Sequence, residues 1–216
     1  MQRISAILLG AGESKRMGRD KLLLPWGKKT VLEHSLQVLL ASEVDEVIVV
    51  LAHPIKGIDG RLIKKGVKVV LNPEYRKGMS SSIRRGIQAL SPKSGGILIA
   101  FGDMPLMKRR TINALIKVFR RTEGKIIVPS FNGRRGHPVI FPRNYERELL
   151  RLKGDKGGRI ILEKHSEDVY VISVKSEGVV RDIDTWSDYI EVTKARCKCN
   201  RGLERIRPKG VSNGFE

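Results

Sequence analysis

"ISAILLGAGESKRMGRDK", Ile4 to Lys21, decides how the chain is read. Its opening "ISAILL" is almost continuously apolar rather than alternating, which fits a strand covered on both faces, as in a parallel sheet. The polar remainder follows at once. It gathers Gly10, Gly12 and Gly18 with Lys15, Arg16, Arg19 and Lys21, so a buried strand runs straight into a glycine-rich cationic loop.

Four further runs share the texture of the first: "EVIVVL" from Glu46, "VKVVL" from Val67, "GILIAF" from Gly96 and "KIIVP" from Lys125. Helical patterns lie between them. "TVLE" at Thr30 offers a capping box, with Thr30 as cap and Glu33 reaching back. Ile112, Leu115, Ile116 and Phe119 fall at the i, i+3, i+4, i+7 spacing of one helix face. Strand and helix in alternation imply right-handed crossovers and an open, mostly parallel α/β sheet with helices on both faces.

Beyond Pro129 the texture changes. "SFNGRRGHPVIF" reads as a loop turning at Gly133 and leading into a strand. Short helical patches follow around Tyr145 to Leu152 and Gly158 to Lys164, then "DVYVISV" and "GVVRDID" as short strands, and "TWSDYIEV" as a final helix capped by Thr185. From Lys194 periodicity is lost and charge rises. The expected organisation is one domain over 1–193 and a basic, flexible tail over 194–216.

Composition narrows the function. No apolar run approaches the roughly 20 residues that cross a bilayer, and the N-terminus lacks the basic region and cleavage site of a secretory signal, so the cytoplasm is expected. Cys197 and Cys199 have no second Cys or His pair to complete a metal site. The formal charge of +19 attracts polyanions of any kind. Aromatic residues make up only 5% and do not interleave with the basic ones, which argues against specific nucleic-acid recognition.

In open α/β sheets ligands bind beyond the carboxyl ends of the strands. Three polar clusters begin there: "GAGESKRMGRDK", "NPEYRKGMSSSIRRG" and "GDMP". The first breaks the "GxGxxG" pattern at Lys15 and contains no "GxxxxGK[ST]". It still suits phosphate: Gly10 and Gly12 let the backbone approach, and Lys15, Arg16 and Lys21 supply charge. A plain strand-to-helix turn with solvated cations is the alternative. Asp103 in "GDMP" needs a partner, a cap or a cation after a buried strand, and magnesium takes one or two such carboxylates. Asp184 is either a second carboxylate, on one face with Asp182 by strand alternation, or a solvent-facing residue before a cap. Ser80, Ser81 and Ser82 either start a helix or face a nucleotide. His137 reads more simply as the start of a strand than as a metal ligand.

Together these blocks, with "GRRGHPVIF", "GDKGGRIIL" and "DIDTWSDY", resemble in order the MobA/MocA-like nucleotidyltransferases, which join the molybdenum cofactor to a nucleotide. The resemblance implies a Rossmann-like fold, Mg2+, and attack of the molybdopterin phosphate on the α-phosphate of CTP or GTP with release of pyrophosphate. It places Gly10, Ala11 and Gly12 on the nucleotide, Arg16 and Lys21 on its phosphates, and Asn72 and Ser80 to Ser82 on its base or ribose side. Asp103 and Asp184 would hold the metal. Ala11, "KLLLP", "GMSSSIRRG" and "GRRGHPVIF" look cytidylyl, so CTP is favoured over GTP, while Gly10 departs from both branches. The segment after Gly133 would take the molybdopterin-type acceptor, and molybdoenzyme maturation proteins are the implied partners. The nearest rival is a sugar- or polyol-phosphate nucleotidyltransferase; a basic nucleic-acid-binding protein is the rival from another class.

Overall fold

The computed structural model describes residues 2–55, 66–155 and 157–199. The side chain of Lys15, those of residues 195–199, and the expected tail from 200 onward lie outside the described set. The first apolar run forms β1 (Ile4–Gly10), buried along its whole length. Because it is covered twice, its side chains divide between two cores: Ile4, Ala6 and Leu8 enter one, Ile7 and Leu9 the other.

Around it the remaining runs take their places. β1 pairs in parallel with β4 (Glu46–Leu51) on one side and with β6 (Gly96–Phe101) on the other. β5 (Lys68–Leu71) lies parallel to β4 at the sheet edge. Beyond β6 come β9 (Val139–Pro142), β7 (Ile126–Phe131) and β10 (Val169–Ser173). Only β9 runs against its neighbours along this path, antiparallel to both β6 and β7. A minor strand, β8 (Arg134–Arg135), folds back on β7 through Asn132 and Gly133, both at positive φ, so Gly133 is the turn its sequence suggests. A small ribbon of β2 (Pro25–Trp26) and β3 (Lys29–Thr30) sits apart.

Helices cover both faces. α1 (Val31–Leu40) begins with the expected capping box, and α3 (Arg109–Phe119) buries Ile112, Leu115, Ile116 and Phe119 in the same core. On the other face lie α2 (Met79–Gln88), α4 (Glu146–Leu150) and α5 (Arg159–Lys164), with Ile83, Ile87, Leu149 and Ile161 buried. α2 approaches β1 closely because Gly86 lacks a Cβ, which would overlap Ile7.

Two expectations need correction. "GVVRDID" forms no strand: Glu177–Val179 is a 3-10 turn and residues 181–184 have no regular structure. The final helix, α6 (Trp186–Cys199), continues past Lys194, where the periodic pattern stops. It starts where Thr185 was expected to cap it, the Thr185 hydroxyl accepting from Asp188 N at 3.2 Å.

Candidate active site

In the parallel half of the sheet, Leu9 sits opposite Phe101, and Gly10 and Leu71 flank Leu51. The three polar clusters therefore emerge on one rim. They enclose a cleft of about 510 Å³ lined by the glycine loop together with Arg16, Lys21, Asp103 and Asp184.

Local chemistry shapes the loop after β1. Ser14 adopts φ 49°, its carbonyl accepts from Met17 N and its hydroxyl from Lys21 N. Gly18 at φ 66° then turns the chain, and Asp20 accepts from Leu22 N, so that Lys21 is delivered facing inward. A Cβ on Gly12 would meet nothing within 4 Å; no protein atom requires glycine there, and the open side of that backbone is the cleft.

Asp103 follows β6 through Gly102, which is wedged against Leu22, Leu32 and the carbonyl of Leu9. Lys21 Nζ lies 2.6 Å from an Asp103 oxygen and 2.7 Å from one of Asp184, and Arg16 Nη1 lies 3.0 Å from the other Asp184 oxygen. Asp184 arrives by a backbone bond, Ile183 N donating to Asp103 O at 3.0 Å. Its orientation is fixed from behind: one Asp188 oxygen accepts from Asp184 N, Thr185 N and the Thr185 hydroxyl. α6 is itself tied to the loop by Trp186 Nε1 donating to Met17 O, and by Tyr189 donating to Pro25 O.

These contacts set the protonation states. Burial opposes the charge on Lys21, but the two carboxylates outweigh it and raise its pKa above the ordinary lysine value. Burial raises Asp103, against the pull of Lys21, with Asp182 and Asp184 adding repulsion. The hydrogen bond from Lys21 holds Asp184 low. Two carboxylate oxygens converging on a single cation make a hard-oxygen donor set, the kind that suits Mg2+ or Mn2+.

Asn72, Ser80 and Ser81 do not line the cleft. All three are at most 2% exposed, and Asn72 Nδ2 donates to the hydroxyls of Ser81 and Ser82 at 2.8 and 2.9 Å. They brace the turn from β5 into α2, and Ser82 alone of the group reaches the cleft wall. Sequence reasoning gave no role to Tyr75, Arg76, Met79 or Asp155, which also line it. Asp155, inside the noted "GDKGG", accepts from Met79 N at 3.0 Å and caps α2 from a distant loop. Gly78, at φ 95°, permits that docking: a Cβ there would lie 2.6 Å from Gly154 C.

A second cavity of about 440 Å³ adjoins the first, with Met79, Phe101 and Asp155 in the walls of both. Its lining is more apolar. His137 stands in that wall, because β9 starts where β6 ends: Val139 pairs with Ile99, and two residues further out the His137 ring meets Phe101 edge-on at 4.5 Å between centroids.

A nucleotide-sized cleft where a glycine loop meets the Lys21, Asp103 and Asp184 ion pairs, next to a second cavity, narrows the comparison with known proteins. The MobA-like NTP transferase domain model matches residues 6–169. This chain belongs to that family. As a MobA-like protein it is a nucleotidyltransferase. The molybdenum cofactor cytidylyltransferase of Escherichia coli is 26% identical, covering 88% of this chain and 95% of that one. Nicotine blue oxidoreductase of Paenarthrobacter nicotinovorans is 29% identical over 84% and 92%. Among solved structures, Rv0371c of Mycobacterium tuberculosis in complex with manganese is 29% identical, with a TM-score of 0.72 over 89% and 98%.

Proposed function

We propose that the chain transfers a cytidylyl group from CTP to the phosphate of a molybdopterin-type acceptor, with Mg2+ as the working ion. The observation that carries this reading is the pair of adjoining cavities, one glycine-lined with both basic and acidic side chains, the other more apolar, meeting at Met79, Phe101 and Asp155. A transfer between two phosphates needs two seats that share a boundary.

In this reading Gly10, Ala11 and Gly12 receive the nucleotide by backbone approach, and Ser82 completes the wall, with Asn72, Ser80 and Ser81 holding that wall in place. Lys21 and Arg16 neutralise the triphosphate. Asp103 and Asp184 hold the metal, which supplies further charge neutralisation at the phosphates. The acceptor phosphate needs no base from the protein, since it is already largely ionised at neutral pH. One of its oxygens forms the bond to the α-phosphorus as the bond to the β-phosphate bridge breaks, and pyrophosphate leaves with that electron pair. The chain's task is alignment and charge, which is how such transfers are accelerated. CTP is preferred to GTP on the strength of the cytidylyl-like blocks and the Escherichia coli relative.

The direct test is pyrophosphate release with molybdopterin, Mg2+ and each nucleoside triphosphate. Release with CTP well above GTP, ATP and UTP is expected; no release with any nucleotide would refute the proposal, and release with a sugar or polyol phosphate in place of molybdopterin would reassign the acceptor.

A further inference from the structure

His137 is a half-buried side chain that the transfer chemistry above leaves without a task. Its Nδ1 is shut off from solvent and has no hydrogen-bond partner. Such an atom costs stability, because it has given up water and received nothing in return. Packing does not explain the choice of residue either: the edge-on contact with Phe101 would be made equally well by a phenylalanine. The imidazole must therefore be justified by its other nitrogen.

A neutral imidazole carries one N–H and one lone pair. A buried N–H without an acceptor is the rarer and costlier orphan, so the proton belongs on Nε2 and the bare lone pair on the enclosed Nδ1. Burial keeps the ring neutral, with its pKa lowered to about 4. His137 lines the second cavity, whose walls include Ile83, Ile99, Phe101, Val128, Phe141 and Leu162. Arg135, Asp155, Arg159 and Glu163 also line the cavity and can meet the charged or hydroxyl groups of a ligand, while its apolar side chains suit a flat ring. Flat heterocycles would stack or sit edge-on there and leave one polar edge to be satisfied.

We infer that His137 is the specificity-determining residue for the acceptor: Nε2–H donates to a ring nitrogen or exocyclic oxygen of a planar heterocycle seated against Phe101 and Phe141. This rests on the acceptor reading above and extends it to a residue and an atom. Gly136, which precedes it, is held within reach of the 179–180 segment, where a Cβ would overlap Val179 O, and His137 N donates to that same carbonyl at 2.7 Å. The ring is thus fixed from its backbone.

The test uses the full chain and two variants, His137→Phe, which keeps a ring on Phe101 but no donor, and His137→Gln, which restores an N–H near Nε2. The probe is a pterin carrying a phosphomethyl group, followed by its own fluorescence, with CTP and Mg2+ titrated separately. His137→Phe should weaken the pterin phosphate about tenfold, the worth of one hydrogen bond, while CTP affinity stays within about twofold and the unfolding temperature does not fall. His137→Gln should recover most of the loss. Undiminished pterin phosphate binding by His137→Phe would overturn the inference alone, as would equal loss of CTP binding. If the unaltered protein binds CTP but not the pterin phosphate, the acceptor reading itself fails and the inference falls with it.

Discussion

Lys21 is asked to serve two carboxylates at once, and its removal separates two effects. With Lys21→Met, Asp103 keeps its burial but loses its counter-charge, so the protein should lose about 2 kcal/mol of stability near neutral pH, less than a fully buried pair would. The pH window follows from the directions of the shifts. Lys21 is raised above 10.5 in the fold, so its contribution is complete below that value and is lost as pH climbs through the folded pKa. Asp184 is lowered below 3.8, so its contribution is present above that value and is lost as pH falls through the folded one. Denaturant midpoints of the variant and the parent should therefore differ most between about pH 4 and pH 10. Asp103→Asn keeps the shape and removes a charge; pyrophosphate release should drop at least a hundredfold, and Mn2+ binding by electron paramagnetic resonance should weaken in parallel. Retained activity would remove the metal role assigned to Asp103. His137 also weakens the fold in acid: its folded pKa of about 4 lies below the ordinary 6.5. Stability should fall as pH drops from 6.5 towards 4, by up to about 1.4 kcal/mol per pH unit, and His137→Phe should flatten that slope.

Among the elements, those that carry strong periodic patterns were legible and those held by single contacts were not. The five apolar runs are β1, β4, β5, β6 and β7, and Thr30 with Glu33 is a working capping box; Thr30→Ala should cost about 1 kcal/mol by thermal or chemical unfolding. The direction of β9 could not be read, since four residues, "VIFP", state burial but not polarity of the chain. The face-sharing argument that left Asp184 open as a second carboxylate does not apply, because its segment is not a strand; it reaches Asp103 through one backbone bond from Ile183. Ser80 to Ser82 looked like ligand contacts because hydroxyls at a helix start can face either way, and here Asn72 claims two of them. Asp155 escaped notice because a capping carboxylate 76 residues from the helix it caps leaves no local pattern. Gly78→Ala should undo that capping: the added Cβ strikes Gly154 and Asp155 at a positive φ, and activity should drop with a smaller change in overall secondary structure, measured by circular dichroism.

At the scale of the whole molecule, the sequence carries a charge of +19, while the cleft itself holds basic and acidic side chains together. Nonspecific attraction to RNA or DNA is therefore expected and should vanish between about 50 and 200 mM salt. A gel shift that stays tight and sequence-selective at the upper end would contradict the assignment of the charge to a general field. No helix among the described residues is long and apolar enough to cross a membrane.

β9, reversed between β6 and β7, has a further result. Parallel strands offer a rim only their finishing residues, so every change made there must be followed at once by a helix that still fits the sheet. β9 offers its first residues instead, and the hairpin of β7 and β8 that leads into it lies outside the β1, β4, β5 and β6 half. Arg135, Gly136 and His137 line the second cavity and not the first, so on the proposed reading substitutions there should alter acceptor binding and leave nucleotide binding unchanged. If the second cavity takes the acceptor as proposed, libraries confined to residues 132–137 are the economical place to look for new acceptors.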